Sequence, residues 1–428
     1  MTFQATVRRT FPWRDPLAVA AGLRNRDGAL ALLSDGGPLG RWSYVAADPD
    51  QTLIGPIDDL AVLRDPAWSR STVGLLAYDA GARPATGPRD PIWPDLMLAR
   101  YPAMLAFDHQ SQTVTALGHG ADAASAELAA DRAEAWLALA LDAPTPPPPA
   151  ETLDAEAPDQ AYRAAVAQVV ARIAAGDLFQ ANIARAWSGR LRPGADPFDV
   201  LLRLSDRAAA YGAFWRLGDR AVVSNSPELF LTFDPVSRDL ETRPIKGTRP
   251  RADDPAADAR LAADLLASAK DRAENLMIVD LMRNDLSRVA EPGSVEVARL
   301  FEIESLPTVH HLVSTVTGTA RAEVGPFDIL SATFPPGSIT GAPKHHAMKV
   351  IAAHEPPRGP WCGSLFSFDD AGRLTASVLI RTAAFENSED GWSVRTLAGA
   401  GIVADSDPDA ELAETEVKIR ALREALTG

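Results

Sequence analysis

Residues 241–251 read ETRPIKGTRPR and place one lysine, Lys246, between Pro-Ile and Gly-Thr, with Arg243, Arg249 and Arg251 close by. Pro244 restrains the approach, and Gly247 leaves the backbone free to take a positive φ or to touch a ligand, so Lys246 is predicted to sit on a tight strand-to-loop corner. Strand-rich segments flank the corner: YGAFWRL and AVVSNSPELFLTF before it, HLVSTVTGTA after it. The corner therefore belongs to a sheet. Neighbouring positive charge lowers a lysine's pKa, and the neutral amine is a nucleophile. At an ordinary pKa of about 10.4, only about one lysine in a thousand is neutral near pH 7.4, so a nucleophilic Lys246 needs such help. A basic surface turn would read the same way from these eleven residues alone.

Outward from the corner, the residues toward the N-terminus mix short apolar runs with Gly, Pro and Asp. RWSYVAADP, VGLLAYDAGARP and AMLAFDHQSQTVTALG read as strands joined by turns, and the alanine-rich stretch 122–141 as a helix. A stiff proline run at 144–149 then marks a boundary between an N-terminal lobe, 1–143, and a second region, 151–428. That region opens with the helix AYRAAVAQVVARIAAG, where Gly176 fits a C-cap, followed by the strand LFQANIARAW. Residues 254–289 carry a helical pattern, and the last helix starts at Asp407 as N-cap with Pro408 behind it.

Composition narrows the class. The chain has 428 residues, 46% apolar and 23% charged, which is ordinary for a globular protein of two or three domain-sized units. Against 57 acidic residues stand 42 basic ones, a formal charge of −15, which argues against nucleic acid or an anionic membrane as partner. The single cysteine, Cys362, cannot form an internal disulfide; the start, MTFQATVRRTFPWRD, lacks a signal-peptide core; and no apolar run approaches the roughly 20 residues that span a bilayer. A cytoplasmic location is expected.

Acidic residues recur at helical spacing. Asp271 and Glu274 lie at i and i+3, as do Glu411 and Glu414, with Lys418 four residues further on. Each pair projects from one helical face. Two such pairs suit Mg²⁺, which takes one or two carboxylates and fills its remaining positions with water and substrate; they equally suit two solvated faces. GAGIVA at 399–404 lacks the following helix of a dinucleotide loop, and GSITGAPK lacks the Gly-Lys-Ser/Thr order of a phosphate loop. Gly399 and Gly401 are better read as places where the backbone approaches something closely.

Taken in order, SPELFL, PIKGTRPR, KDRAENLMIVDLMRNDLSRV, LPTVHHLVSTVTG, FPPGSITGAPK and AGAGIVADSDPDAELAETEVK resemble the chorismate-utilising enzyme family over about residues 160–425. The resemblance implies an α/β (α+β) architecture like that of anthranilate synthase, with antiparallel sheets packed face to face and helices outside. Residues 1–143 then belong to the same globular unit. The lysine of PIKGT is similar to that of the family members that form 4-amino-4-deoxychorismate, whereas anthranilate synthases usually carry alanine there. Isochorismate and salicylate synthases usually carry a lysine where this chain has Gln180. The LLES-type signature of the tryptophan feedback site of anthranilate synthases is absent.

The same resemblance assigns roles. Glu274 and Glu411 become ligands of Mg²⁺, with Glu414 and Asp271 close by or acting through water; Asp271 replaces the usual glutamate. Glu228 becomes the general acid toward the leaving 4-hydroxyl of chorismate, and Lys246 the nucleophile at ring carbon 2. Gln180, Thr248, His311, Ser338, Gly341, Arg381, Gly399, Gly401 and Lys418 are placed around the substrate, with His311 counted among the catalytic groups and Arg381 and Lys418 as carboxylate partners. The sequence contains no Gly-x-Cys-x-Gly amidotransferase nucleophile and no fused lyase domain, so ammonia is expected from a glutamine amidotransferase subunit, as a heterodimer, or from solution. An anthranilate synthase large subunit and a catalytically silent chorismate-binding subunit are the alternative assignments.

Overall fold

The structure, a computed structural model, describes residues 3–37, 40–306 and 309–428. Pro307 and Thr308 of the LPTVHH stretch lie outside the described residues. Among those residues the strands form two sheets, of twelve and ten strands, and the strand pairs are antiparallel. From its middle to one edge the larger sheet runs Leu30–Leu33, Tyr211–Leu217, Arg220–Ser226, Thr382–Ser388, Gly391–Ile402, Gln180–Arg190 and Gly341–Ala342. The smaller runs from Ile245–Pro250 through Val309–Thr319, Asp239–Thr242, Leu229–Phe233, Leu374–Val378 and Ser364–Phe368 to Thr72–Leu76 and two further strands.

Apolar residues on facing sheets hold the two together. One buried cluster joins Val73, Leu75 and Ala99 of the smaller sheet to Leu30, Val45 and Trp215 of the larger; a second joins Phe230, Leu240 and Val316 to Ala186 and Leu397. Burying each large aliphatic side chain contributes about 1.5–3 kcal/mol, so this interface dominates the packing. Helices cover the outside. Tyr162, Val166 and Val169 of the Asp159–Ala174 helix meet Ile183, Val350, Ile402 and Leu412 in a third cluster. No helix among the described residues is long and apolar enough to cross a membrane.

The proline run divides the sequence but not the sheets. Leu30–Leu33 pairs with Tyr211–Leu217, and Thr72–Leu76 with Ser364–Phe368, so each sheet joins a block of strands from before residues 144–149 to a block from after them. The run itself is pinned by Arg203 to the carbonyl of Pro146 and by Arg192 to that of Pro148.

Local signals explain many element ends. Asp407 accepts from the amides of Asp409 and Ala410, and Gly176 takes φ 83° just past its helix. The helical pattern at 254–289 is two helices, Pro255–Ala267 and Ala269–Ser287, because the Ser268 hydroxyl caps the second one at the Asp271 amide. One expectation fails: VGLLAYDAGARP is not all strand, since Tyr78–Thr86 is a helix with Pro84 inside it. Its second residue, Asp79, accepts from the amides of Arg358 and Gly359, a tertiary anchor that outweighs local propensity.

Candidate active site

Lys246 lies in the Ile245–Pro250 strand, whose pairing with Val309–Thr319 shifts register between Ile245 and Thr248. The bulge kinks the strand and re-aims the side chain. Gly247 supports it with φ 88°; a Cβ there would come within 3.0 Å of Asp271 and 2.9 Å of Leu265. The Lys246 amine donates to the backbone carbonyl of Ser338 at 3.2 Å. Burial holds its pKa below the ordinary lysine value, the charges of Glu228, Glu274 and Glu414 push it back up, and Lys418 lowers it further.

The arginines of ETRPIKGTRPR are not the cause, contrary to the expectation from sequence. Each is engaged by a carboxylate: Arg243 by Glu304 at 3.4 Å, Arg249 by Asp264 at 2.7 Å and Asp271 at 3.2 Å, Arg251 by Asp258 at 2.8 Å. Paired in this way, their field at the amine is largely cancelled. They fix the loop, and burial tunes the lysine.

Glu228 is buried, and that burial raises its carboxyl above the usual range; Ser338, Lys246, Lys418 and Arg381 pull it back down. Its Oε1 has no hydrogen-bond partner among the described residues. His311, on the neighbouring strand, is bonded through Nδ1 to the Thr248 hydroxyl at 2.9 Å, while Nε2 is unpartnered. Burial and then the charge of Arg381 lower its pKa to about 4, so the ring is neutral near pH 7. Arg381 sits at φ 51° and makes no ion pair among the described residues. A guanidinium left unpaired and half-buried is a ready partner for an incoming carboxylate.

Glycine-rich backbones approach their neighbours closely. Gly341–Ala342 pairs with Gln180 and Ala181, and a Cβ on Gly341 would collide with the Gln180 carbonyl. The Gln180 side chain is fully buried with both amide atoms unpartnered, and it lies against Gly401, where a Cβ would come within 2.8 Å of its nitrogen. At Gly399 a Cβ would reach the Ile183 carbonyl at 2.7 Å and the Asn182 side chain at 2.8 Å. The carbonyl of Gly399 accepts from Lys418 at 2.8 Å, and Lys418 also pairs with Glu414 at 2.6 Å.

The acidic pairs are on different helices, Ala269–Ser287 and Pro408–Thr427. Glu274 and Glu411 are raised above the usual carboxylate range, first by burial, and each also feels the negative charge of Glu414. Glu411 accepts from the Ser406 hydroxyl at 2.7 Å, and Glu274 lies 3.9 Å from Lys270. Burial pushes Glu414 up too, but Lys418, Lys246 and Lys270 together outweigh it and its pKa is lowered. Asp271 pairs with Arg249 and packs on Gly247, while its charge is also felt by Glu274. Among the described residues no three potential ligands form a ready-made cage. Two partly desolvated glutamates that both feel the charge of Glu414 still fit Mg²⁺, because that ion needs only one or two protein carboxylates.

Several supporting residues are invisible to motif reading. Asn275, fully buried, donates to the Leu312 carbonyl and accepts from Ser314 at 2.6 Å, which locks the helix of Glu274 to the strand of His311. Its one signal in the sequence is a polar residue within the apolar stripe of the helix. A cavity of about 400 Å³ between the sheets, bordered by Arg8, Tyr44, Tyr211, Asp369 and Arg373, includes none of the residues above.

The sequence model described as chorismate binding enzyme matches residues 45–424. The chain is 36% identical to aminodeoxychorismate synthase component 1 of Salmonella typhimurium, across 96% of both chains, and 39% identical to the Escherichia coli protein of the same name, across 89% of this chain and 83% of that one. It is also 36% identical to anthranilate synthase component 1 of Haloferax volcanii, across 91% of this chain and 78% of that one. Among solved structures, anthranilate synthase component I of Streptococcus pneumoniae superposes with TM-score 0.75 at 26% identity, covering 90% of this chain and 92% of that one. The menaquinone-specific isochorismate synthase of Escherichia coli, at 20% identity, shares the fold with TM-score 0.78 over 99% of this chain and 95% of that one.

Proposed function

The chain belongs to the chorismate-binding enzyme family, and from that premise we propose that it joins ammonia to chorismate to give 4-amino-4-deoxychorismate. The observation that carries this reading is Lys246, an amine with a pKa lowered by burial, held against the Ser338 carbonyl and electrostatically coupled to the buried acid Glu228. The curated relatives named aminodeoxychorismate synthase component 1 support it.

In the proposed reaction the neutral Lys246 amine forms a bond to ring carbon 2. Both conjugated ring double bonds shift by one position, the bond from carbon 4 to its hydroxyl breaks, and Glu228, whose burial favours the protonated form, supplies the proton that lets the oxygen leave as water. Ammonia then bonds to carbon 4, both double bonds shift back, and the carbon 2 to lysine bond breaks with its electron pair returning to the lysine nitrogen. The ammonia nitrogen gives up a proton as Glu228 is restored to its acid form. Arg381 and Lys418 receive the substrate's carboxylates, and Gln180, Thr248, Gly341, Gly399 and Gly401 surround the substrate. His311, neutral, keeps Nε2 free for a substrate hydroxyl. Glu274 and Glu411 would hold Mg²⁺, with Glu414 assisting and Asp271 more remote; the ion would offset the charge of the ring carboxylate. A glutamine amidotransferase subunit is the proposed ammonia source.

Lys246→Ala tests the lysine's part. It should slow product formation by at least two orders of magnitude with chorismate binding retained, because nucleophile and binding groups are separate. With the corner emptied, a minor yield of anthranilate is expected. Wild-type rates in the variant would reduce Lys246 to a charge near the substrate.

A further inference from the structure

The loop 334–343 supplies the Ser338 carbonyl to Lys246 and pairs Gly341 with Ala181. What holds this loop is a buried lysine outside the family site described above. Lys344 opens the Lys344–His354 helix, and its ammonium donates to the Thr333 carbonyl at 2.9 Å, the Pro335 carbonyl at 2.9 Å and Asp285 at 2.6 Å. Three donors meet three acceptors, so the group has one orientation. The side chains are 12% and 3% exposed, so water does not compete effectively for either charge. Asp285 lies in the last turns of the Ala269–Ser287 helix, which also carries Glu274. The far side of the loop is held by Arg358, which donates to the Ile339 carbonyl at 3.2 Å and pairs with Glu355.

We propose that Lys344 and Asp285 are positioning residues for the nucleophile: they staple both ends of the loop to the long helix and so fix where the Ser338 carbonyl meets the Lys246 amine. A neutral amine has two N–H donors and one lone pair. Giving one N–H to a fixed carbonyl sets the direction of the lone pair, and that direction decides whether the amine faces ring carbon 2. If the loop slides, the amine remains present and buried but loses its aim. The inference rests on the reading of Lys246 as nucleophile.

Lys344→Met alone leaves Asp285 buried without its partner, which threatens folding. The test therefore pairs it with Asp285→Asn, which removes both charges at nearly constant shape. Wild type and the double variant are mixed with chorismate and Mg²⁺ without ammonia, and the rate of adduct formation on Lys246 is followed by intact-mass and peptide analysis. Chorismate affinity is measured in parallel by equilibrium binding, and folding by circular dichroism. The double variant should stay folded and bind chorismate within about threefold of wild type, while its adduct rate falls roughly tenfold or more. Equal adduct rates overturn the positioning role and leave Lys246 as nucleophile. A parallel loss of binding and adduct overturns it too, by showing a general collapse of the site. If wild type forms no adduct, the nucleophile reading fails and this inference falls with it.

Discussion

Adding one methyl group at Gly341 should separate displacement of the site from simple backbone strain. Gly341 has φ 138°, and a Cβ there would lie 2.8 Å from the carbonyl carbon of Gln180 and 3.0 Å from the Cα of Ala181. Packed carbons sit about 3.5–4.0 Å apart, so the Gly341–Ala342 strand must retreat by roughly 1 Å from Gln180. The retreat shifts the loop that bears Ser338 and opens the place of the unpartnered Gln180 amide. Misplacing a reacting group by 1 Å costs about 100-fold in rate, and the strained backbone costs about 1–3 kcal/mol of stability. Gly391 provides the control: it has φ 90° in a hairpin turn, and a Cβ there meets nothing within 4 Å. Gly391→Ala should therefore carry the strain cost with little change in turnover. The assay is kcat/KM for chorismate with ammonium, alongside urea unfolding of both variants. Equal activity losses in the two would mean that Gly341 matters only through stability. Full activity in Gly341→Ala would refute the close approach at Gln180.

The pH dependence of turnover follows from the two shifted groups. Rate rises with pH as Lys246 loses its proton, below its ordinary value of 10.5, and falls as Glu228 loses its own, above 4.5. A bell with both limbs inside that interval is expected in kcat/KM, and a limb at either ordinary value would contradict the burial argument. Glu274→Gln should weaken Mg²⁺ activation by about 10- to 100-fold at nearly unchanged melting temperature, measured by metal titration of chelator-treated protein. Undiminished activity of wild type in metal-free buffer would remove the proposed metal role.

The lysine corner was legible because its determinants are local. Pro244 and Gly247 flank Lys246, and a bulge with a positive-φ glycine is what the structure has there. Helix ends at Asp407 and Gly176 were legible for the same reason. Long-range partners were not. Arg243 finds Glu304, and Lys344 finds Asp285, each about sixty residues away, so no window on the sequence shows the arginines cancelled or the loop stapled. Asp79 turns a strand-like stretch into a helix by reaching Arg358 and Gly359, and this too depends on the finished fold. The acidic spacing correctly put two carboxylates on each helix face, but only the structure shows Asp271 turned to Arg249 while Glu274 and Glu411 are held by burial above their usual range.

The central claim is that this site joins ammonia to chorismate at carbon 4, and product identity tests it most directly. Purified protein is incubated with chorismate, Mg²⁺ and an ammonium salt, and the products are separated and identified by mass spectrometry against standards. The account predicts 4-amino-4-deoxychorismate as the main product from wild type. Anthranilate or isochorismate as the main product, or recovery of chorismate unchanged, would contradict it.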